Sequence, residues 1–530
     1  DRFIHNYPEL ITACTRSLVD DKCSGPSQKL VDELKREIIA AIGWSPEMPA
    51  PRSGVHTEVD AAFMEAWRYH ANDPDWEVTR WLLLGAPAGI SSHSQGASLG
   101  IFPPPSDKLK DQHDLTYYTP DWRNYDTVED DKAAEELIDK LEATKFVDAF
   151  DSYEELLRDC FGDPVMSKLK MITKVANGKT KRRLIMDCLM SGVNGLSKQG
   201  ERILLPRIAD LVYDILALLG KCNDHEGIYF LVLDFVDAFF RMPLNPDERH
   251  FFVVNFAGRF LRWNRVAQGS TNGPQSFCRL AALVGRLTQS VFDPDVARLQ
   301  VYIDDPILTM RGTEKQAKHN MTKAILVWRC CCLDLAFHKG QFGKAVTWVG
   351  HDVTVNRTEG TVTAAIKESF MSELLEDALK LQKVNQVRRR DLRSFTGRAN
   401  HVASLVWTWK PFMDELWAGA ESTNKSNASH NKIWTKQISN SLRWIITFMK
   451  KQRGEVSRTW SLASHLRAAD DIAVVFDASP WGMGAVLYHS GIPVSFFADA
   501  ISLQDVKRYR HKIGDHRGQQ VWESLALLVA

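Results

Sequence analysis

The sequence predicts an α+β protein of several domains, and three observations carry that prediction. From about residue 165, short β-rich runs joined by Gly and Asn turns alternate with helical patterns such as the one over 208–219. From about 366 to 465 the pattern is mostly helical, with Trp407, Trp409, Trp417, Trp434 and Trp444 at intervals that suit buried helix faces. From Asp471 onward strands return over 472–476, 484–488 and 493–497, separated by Gly-bearing turns, which reads as a β-meander opening a new domain.

Taken in chain order, residues 1–110 alternate short helical patterns with Pro- and Gly-bearing breaks at 46–51, 85–89 and 103–105, and so read as a mostly helical region of its own without a functional signature. The stretch 126–159 sets acids between Leu137, Ile138, Leu141 and Phe146, the pattern of a solvated amphipathic helix pair. With 530 residues, 44% of them hydrophobic, the chain has material for roughly three or four domains. The domains expected are 1–110, 111–365, 366–465 and 470–530.

No apolar run approaches the roughly 18 to 20 residues a bilayer requires, so no membrane partner is expected. The nine cysteines form no CxxC pair, and three of them, Cys330, Cys331 and Cys332, are consecutive. That usage excludes a zinc framework and a secreted disulfide scaffold and points to a reducing, intracellular compartment, cytoplasm or nucleus. A chain that starts at Asp1 and stops at Ala530 inside an amphipathic helical pattern is expected to be a segment of a longer polyprotein.

Equal numbers of basic and acidic residues, 66 each, conceal strong segregation. Residues 168–183 hold seven bases and no acid, and 380–398 hold Lys380, Lys383, Arg388, Arg389, Arg390, Arg393 and Arg398 against Asp391 alone. Two such blocks suit a polyanion track, because each neutralised phosphate releases condensed counterions; two solvated faces are the structural alternative.

Acids at the ends of apolar strands cost free energy unless something offsets them. Asp234 follows the run 228–233, and Asp304 and Asp305 separate 299–303 from 306–308. Strand, two acids and strand read as a hairpin presenting carboxylates. Such a tip suits Mg²⁺ or Mn²⁺, which take hard oxygen ligands from one or two carboxylates together with substrate phosphates.

In order along the chain, TKVANGKTKRRLIMD (173–187), LVLDFVDAFFRMPL (231–244), AQGSTNGPQSF (267–277), VYIDD (301–305) and FHKGQFGKAVTWVGHDV (337–353) resemble the fingers hairpin, motifs A and B, the Y-x-D-D box, and the Lys-bearing turn with primer-grip hairpin of reverse transcriptases of retroviruses and of LTR-type or DIRS-like retrotransposons. The resemblance covers about 165–365. It implies a right-hand polymerase of fingers, palm and thumb, copying an RNA template by extending a DNA or RNA primer with dNTPs.

The resemblance also implies roles. Asp234, Asp304 and Asp305 would be the catalytic metal-binding carboxylates, with Mg²⁺ or Mn²⁺ as cofactor. Arg183, four residues before Asp187, and Lys174 or Lys179 would bind the triphosphate. Gln268 and Gly269 would pack on the nucleotide, and Phe239 would be a steric gate against a 2′-hydroxyl, which separates this chain from RNA-dependent RNA polymerases. Trp348 and Gly350 fall in the primer grip. Lys339 and the block Arg388, Arg389, Arg390 and Arg393 would track the template–primer backbone, as a thumb and connection region does over RNA–DNA hybrid.

VVFDASPWGMGAVLY (474–488) and VWESLALLVA (521–530) are similar to the first strands and first helix of an RNase H domain, an α/β fold, with Asp477 and Glu523 at metal-binding positions. The family's later carboxylates do not fall within 530 residues, so a truncated domain inactive in RNA cleavage is expected. Two departures stand out. Ala267 replaces the usual Pro of motif B, and Pro306 removes a ladder donor after the two aspartates, which is expected to loosen the tip. An inactive or repurposed copy that only binds nucleic acid is therefore the competing reading. A group II intron or telomerase-type lineage is disfavoured by the RNase H-like strand and by the short motif spacing.

Overall fold

The computed structural model describes residues 1–530 except 21–22, 44–46, 92–99, 106–113, 129–130, 177–178, 422–430, 452–455 and 467–471, and except the side chains of 175, 176, 179 and 451. The chain forms two units, Asp1–Val355 with Thr363–Arg458, and Asn356–Val362 with Thr459–Ala530. Both mix helix and sheet. No helix among the described residues is long and apolar enough to cross a membrane.

The first unit opens with helices α1 (Arg2–Asn6), α2 (Glu9–Ser17), α3 (Gln28–Ile42), α4 (Ala61–His70) and α5 (Trp76–Leu84). Local chemistry sets their ends: the Ser27 side chain accepts the Leu30 N–H at the start of α3, and Gly43 closes that helix at φ +74°. Helix α6 (Lys132–Ala143), strand β1 (Val147–Phe150), helix α7 (Tyr153–Asp159) and the antiparallel ribbon β2 (Leu169–Ala176) and β3 (Lys179–Met186) follow. The helix pair expected over 126–159 is thus interrupted by β1. Its alternating residues pair with a strand more than a hundred positions downstream, a partner invisible to local periodicity.

Helices α8 (Val193–Leu196) and α9 (Ile208–Leu219) lead into the buried strand β4 (Gly227–Val232), then β5 (Val253–Phe256) and β6 (Arg259–Trp263). Strand β6 pairs with both β1 and β5. Helix α10 (Gly273–Gln289), strands β7 (Ala297–Tyr302) and β8 (Asp305–Gly312), helix α11 (Glu314–Cys330) and strand β9 (Gln341–Gly343) complete a sheet of order β7-β8-β4-β9. Every pairing in it is antiparallel, so β4 sits between β8 and β9 with its apolar run shielded on both faces.

Residues 1–84 do not stand apart. Phe3, Leu10, Phe63, Met64, Val78 and Leu82 share one buried cluster with Leu231 of β4, Phe277 and Leu280 of α10 and Trp328 of α11. The region expected to be separate is structurally one with the sheet it covers. Each helix reads locally as amphipathic, but sequence periodicity gives only the face, never the surface it meets.

Strands β10 (Ala345–Trp348) and β11 (His351–Asn356) form a hairpin closed by Val349 and Gly350, both at positive φ, and β12 (Thr361–Ile366) follows. Next come α12 (Glu368–Gln382), β13 (Gln386–Arg388), α13 (Arg389–Leu405), α14 (Lys410–Glu421), β14 (Lys432–Trp434) and α15 (Ser439–Lys451). The helical expectation over 366–465 needs two corrections: β13 and β14 pair, which places Arg388 in a strand and starts a helix at Arg389, and the chain returns to strand at β15 (Val456–Ser461). Trp409 is fully buried, as a core role requires, whereas Trp407 is more than half exposed under Lys410 and Arg458.

Beyond β15 (Val456–Ser461) and α16 (Leu462–His465), the second unit is the expected meander of β16 (Ile472–Ala478), β17 (Gly482–His489) and β18 (Ile492–Ala500), followed by α17 (Leu503–Tyr509) and α18 (Gln519–Val529). Trp522 and Ala526 of α18 bury against Ala478 and Ile501.

Candidate active site

Asp234 leaves the end of β4, and the β7–β8 turn arrives beside it. The Phe235 N–H donates to the Asp304 carbonyl at 2.9 Å, and the Leu233 N–H to the Pro306 carbonyl at 3.3 Å, so main-chain bonds hold the two segments side by side. Tyr302 pairs with Asp305 and Val301 with Pro306. The register therefore runs through the proline, and Pro306 does not interrupt it. Only Asp304 stands in the turn, while Asp305 already belongs to β8. Ile303 occupies that turn at φ +56°, a conformation a β-branched side chain rarely adopts.

The carboxyls of Asp304 and Asp305 are partly buried, and burial is the main cause of their shifts. Asp304 is raised, with neighbouring Asp234 adding to the effect and Lys339 and Arg183 opposing it. Asp305 is pushed up to about 6 by burial, then by Asp304 and Asp234, against Lys339 and Lys181. The Lys339 ammonium donates to the Asp234 carboxylate at 2.5 Å. Lys339, expected on the nucleic-acid track, instead sits on the carboxylate cluster.

Among the described residues no three His, Cys, Asp or Glu side chains already form a metal cage. The donor chemistry nonetheless fits a hard divalent cation. Asp234, Asp304 and Asp305 offer only oxygen, and two of them resist ionising where they stand, which is the situation a bound cation relieves. Mg²⁺ characteristically takes few protein carboxylates and completes its shell with water and phosphate.

Four supporting features surround these acids. The ribbon β2–β3 sets Lys174 opposite Lys181 and Ile172 opposite Arg183, so Lys174, Lys181 and Arg183 share one face. All three are exposed. Lys181 is a residue that sequence reasoning missed, since in a basic run only register tells which cation faces the site; the side chain of Lys179 lies outside the described residues.

Gly269, at φ +118°, lies so close to the Met186 carbonyl of β3 that a Cβ there would be far inside contact distance. The Met186 N–H donates to the Gln268 carbonyl at 3.0 Å, and Asn194 donates to the Gly269 carbonyl at 3.0 Å while accepting the Thr271 N–H at 2.8 Å. Asn194, also unforeseen, lies in a Val-Asn-Gly stretch that reads merely as a turn.

Phe239 is half-buried, with its ring 5.8 Å from that of Phe277, whereas Phe240 stacks on Phe146 at 4.9 Å. Phe239 thus packs against the core while part of it stays exposed.

Trp348 is fully buried and its indole N–H donates to the Asp305 carbonyl at 3.0 Å. Gly350, at the hairpin turn, abuts His401 of α13. The basic block is partly self-neutralised: Arg388 pairs with Asp391 and Arg393 with Glu421. Arg390 exerts a field at Tyr125, whose hydroxyl donates to Asp187, and Arg389 begins α13.

In the second unit Asp477 is the penultimate residue of β16, and its carboxylate accepts the Ala478 N–H. Gln519 bridges the Ala478 carbonyl and the Glu523 carboxylate, which brings Glu523 to the residue next to Asp477.

Residues 166–353 match a family model described as "Reverse transcriptase (RNA-dependent DNA polymerase)". No curated protein sequence matches the chain. Among solved structures, a foamy viral protease-reverse transcriptase in complex with double-stranded DNA is similar at 16% identity and a TM-score of 0.44, over 88% of this chain and 72% of that one. A foamy viral protease-reverse transcriptase in complex with RNA/DNA hybrid is similar at 15% identity and a TM-score of 0.43, over 93% of this chain and 58% of that one. The matched segment contains Asp234, Gly269, Asp304 and Asp305, and residues 166–353 of the protein accordingly form a reverse transcriptase (RNA-dependent DNA polymerase) domain.

Proposed function

We propose that this protein is the polymerase part of a retroelement Pol polyprotein, LTR-type or DIRS-like, and extends a primer 3′-hydroxyl with dNTPs on an RNA template. In this reading the β2–β3 ribbon belongs to the fingers, the β7-β8-β4-β9 sheet is the palm, helices α12 to α15 are thumb and connection, and the second unit is part of an RNase H-like domain. The observation that carries it is the meeting of Asp234 with Asp304 and Asp305 at one end of the sheet, in the field of Arg183, Lys181 and Lys339.

Asp234 and Asp304 would hold Mg²⁺ or Mn²⁺, with Asp305 assisting, and such ions would supply a lowered pKa at the 3′-hydroxyl and positive charge toward the phosphate. Arg183 holds the triphosphate through its planar fork, and Lys174 and Lys181 act on it as point charges. The Gln268–Gly269 backbone forms the floor on which the nucleotide lies, held close against β3 because Gly269 has no Cβ to meet the Met186 carbonyl. Phe239 closes the space a 2′-hydroxyl would need.

The Val349–Gly350 turn steadies the primer end, while Trp348 acts behind it on Asp305. Arg388, Arg389, Arg390 and Arg393 follow the duplex backbone without reading sequence. Asp477 and Glu523 would be the first metal-binding carboxylates of the RNase H-like part.

Primer extension on an RNA template tests this directly. Incorporation of dNTPs but not rNTPs, lost in Asp304→Asn, is the expected outcome. Salt-sensitive binding of the hybrid without any incorporation would instead favour a copy that only binds nucleic acid.

A further inference from the structure

The loop after α5 is tied into the polymerase site from three sides. The Ala86 N–H donates to the Pro243 carbonyl at 2.7 Å and the Asn245 N–H to the Ala86 carbonyl at 3.0 Å, so the loop runs as a short parallel partner to the chain leaving Asp234. The fully buried Glu248 carboxylate accepts the N–H groups of Ala88, Ile90 and Ser91 at 2.6, 2.9 and 2.9 Å. The Ala88 carbonyl accepts the Ser197 hydroxyl at 2.6 Å and the Asn272 amide at 2.7 Å, and the Lys198 N–H donates to the Gly89 carbonyl at 2.7 Å.

Asn272 is the connection that matters. It is the residue before α10 and the last of the loop 268–272 that carries Gln268 and Gly269. Its amide also reaches the Lys198 carbonyl at 3.2 Å, so one side chain joins residues 85–91 and 197–198 to that loop. The joint leaves no slack. Gly89, at φ +73°, would drive a Cβ into the Lys198 carbonyl oxygen and the Asn272 amide, and Gly85, at φ +92°, would drive one into the Asn245 backbone. A buried carboxylate that accepts three main-chain donors holds a strand segment at charge-assisted strength. A segment serving only to link α5 to the next element needs none of this.

We propose that residues 85–91 are a positioning strap for the polymerase site: through Asn272 they fix where the loop 268–272 stands and thereby set the affinity for the incoming dNTP. The inference rests on the reading of that loop as the nucleotide floor. Glu248 and Asn272 are positioning residues, acting through the loop and touching no substrate. It also gives the N-terminal region, mute in sequence, a part in the reaction.

The test uses the full chain and two matched substitutions. Gly89→Ala introduces a Cβ into the joint; Gly43→Ala introduces one at a similar φ, +74°, with nothing within 4 Å, at the end of α3. Both strain the backbone, so a loss of melting temperature common to the two is not informative. The strap predicts that Gly89→Ala raises the KM for dNTP about tenfold or more, with kcat changed much less and hybrid affinity unchanged, as expected for lost substrate positioning. It also predicts faster amide exchange over 268–272 in Gly89→Ala and not in Gly43→Ala. Equal KM values in the two variants, or unaltered exchange over 268–272 in Gly89→Ala, would overturn it. If the wild-type chain makes no DNA while Gly89→Ala still loosens 268–272, the polymerase reading fails and the mechanical coupling of the strap stands.

Discussion

The indole of Trp348 donates its one hydrogen bond to the main-chain carbonyl of Asp305. A hairpin that sequence resemblance assigns to the primer thus also braces the aspartate turn from behind, with Tyr302 edge-on to the same ring. Trp348→Phe keeps most of the ring and removes the donor, leaving the Asp305 carbonyl unpaired at a cost of about 1–3 kcal/mol. The expected result is a kcat lowered about tenfold with hybrid affinity unchanged, because a small misplacement of a reacting group is costly. If Trp348→Phe weakened primer binding and left kcat intact, the brace would be the wrong description.

The ring of Phe239 packs against Phe277 on one side. Phe239→Ala is expected to raise rNTP incorporation relative to dNTP by at least about tenfold, the scale on which one removed side chain changes discrimination in an apolar pocket. Steady-state kinetics with matched dNTP and rNTP measures it. An unchanged ratio would make Phe239 core alone.

Arg279 of α10 is buried in an ionic cluster with Asp75 and Glu77 from the start of α5, beneath the Trp81 ring. Asp75→Ala leaves the guanidinium short of its partner and is expected to cost about 3–5 kcal/mol in unfolding free energy. Denaturant titration reads this, and the whole first unit should lose stability together, since α5 and α10 share one core.

His351 of β11 and His401 of α13 stack with ring centroids 4.2 Å apart, and the Phe370 ring of α12 lies against His401. Burial first, and then His401, lowers His351 to about 4; burial also lowers His401. The nearby carboxylate of Asp352 and the Val349 carbonyl act in the opposite direction on His351 and do not prevail. A folded-state pKa below the unfolded one means stability is fully present above pH 6.5 and is lost as pH falls toward 4, by an amount on the order of 3 kcal/mol for His351. Thermal melts across that window should show the loss, and His351→Phe should flatten it. A pH-independent melt between 6.5 and 4 would contradict the buried neutral pair.

The parts legible in sequence were those encoded locally. Asp234 ends an apolar run, Asp304 and Asp305 interrupt another, and the β16–β18 meander is punctuated by glycines, so composition and turn chemistry alone place them. What escaped depends on partners distant in sequence. Strand β1 pairs with β6 across more than a hundred residues, and only cross-strand register shows that Lys181 shares a face with Lys174 and Arg183. The helices of 1–84 carry visible apolar faces, yet nothing in them announces that Phe277 and Trp328 lie opposite. Pro306 misled in the other direction: its main-chain carbonyl still serves the Leu233 N–H, so the lost donor did not cost the turn its register.

The measurement that bears most directly on the account is single-nucleotide extension of a primer on an RNA template, with Mg²⁺ or Mn²⁺, comparing the wild-type chain with Asp304→Asn. The account predicts dNTP incorporation that requires the divalent cation and falls by at least about a thousandfold in Asp304→Asn, the scale of losing a metal-binding carboxylate. Incorporation that survives in Asp304→Asn would place the chemistry elsewhere and contradict the site built around Asp234, Asp304 and Asp305.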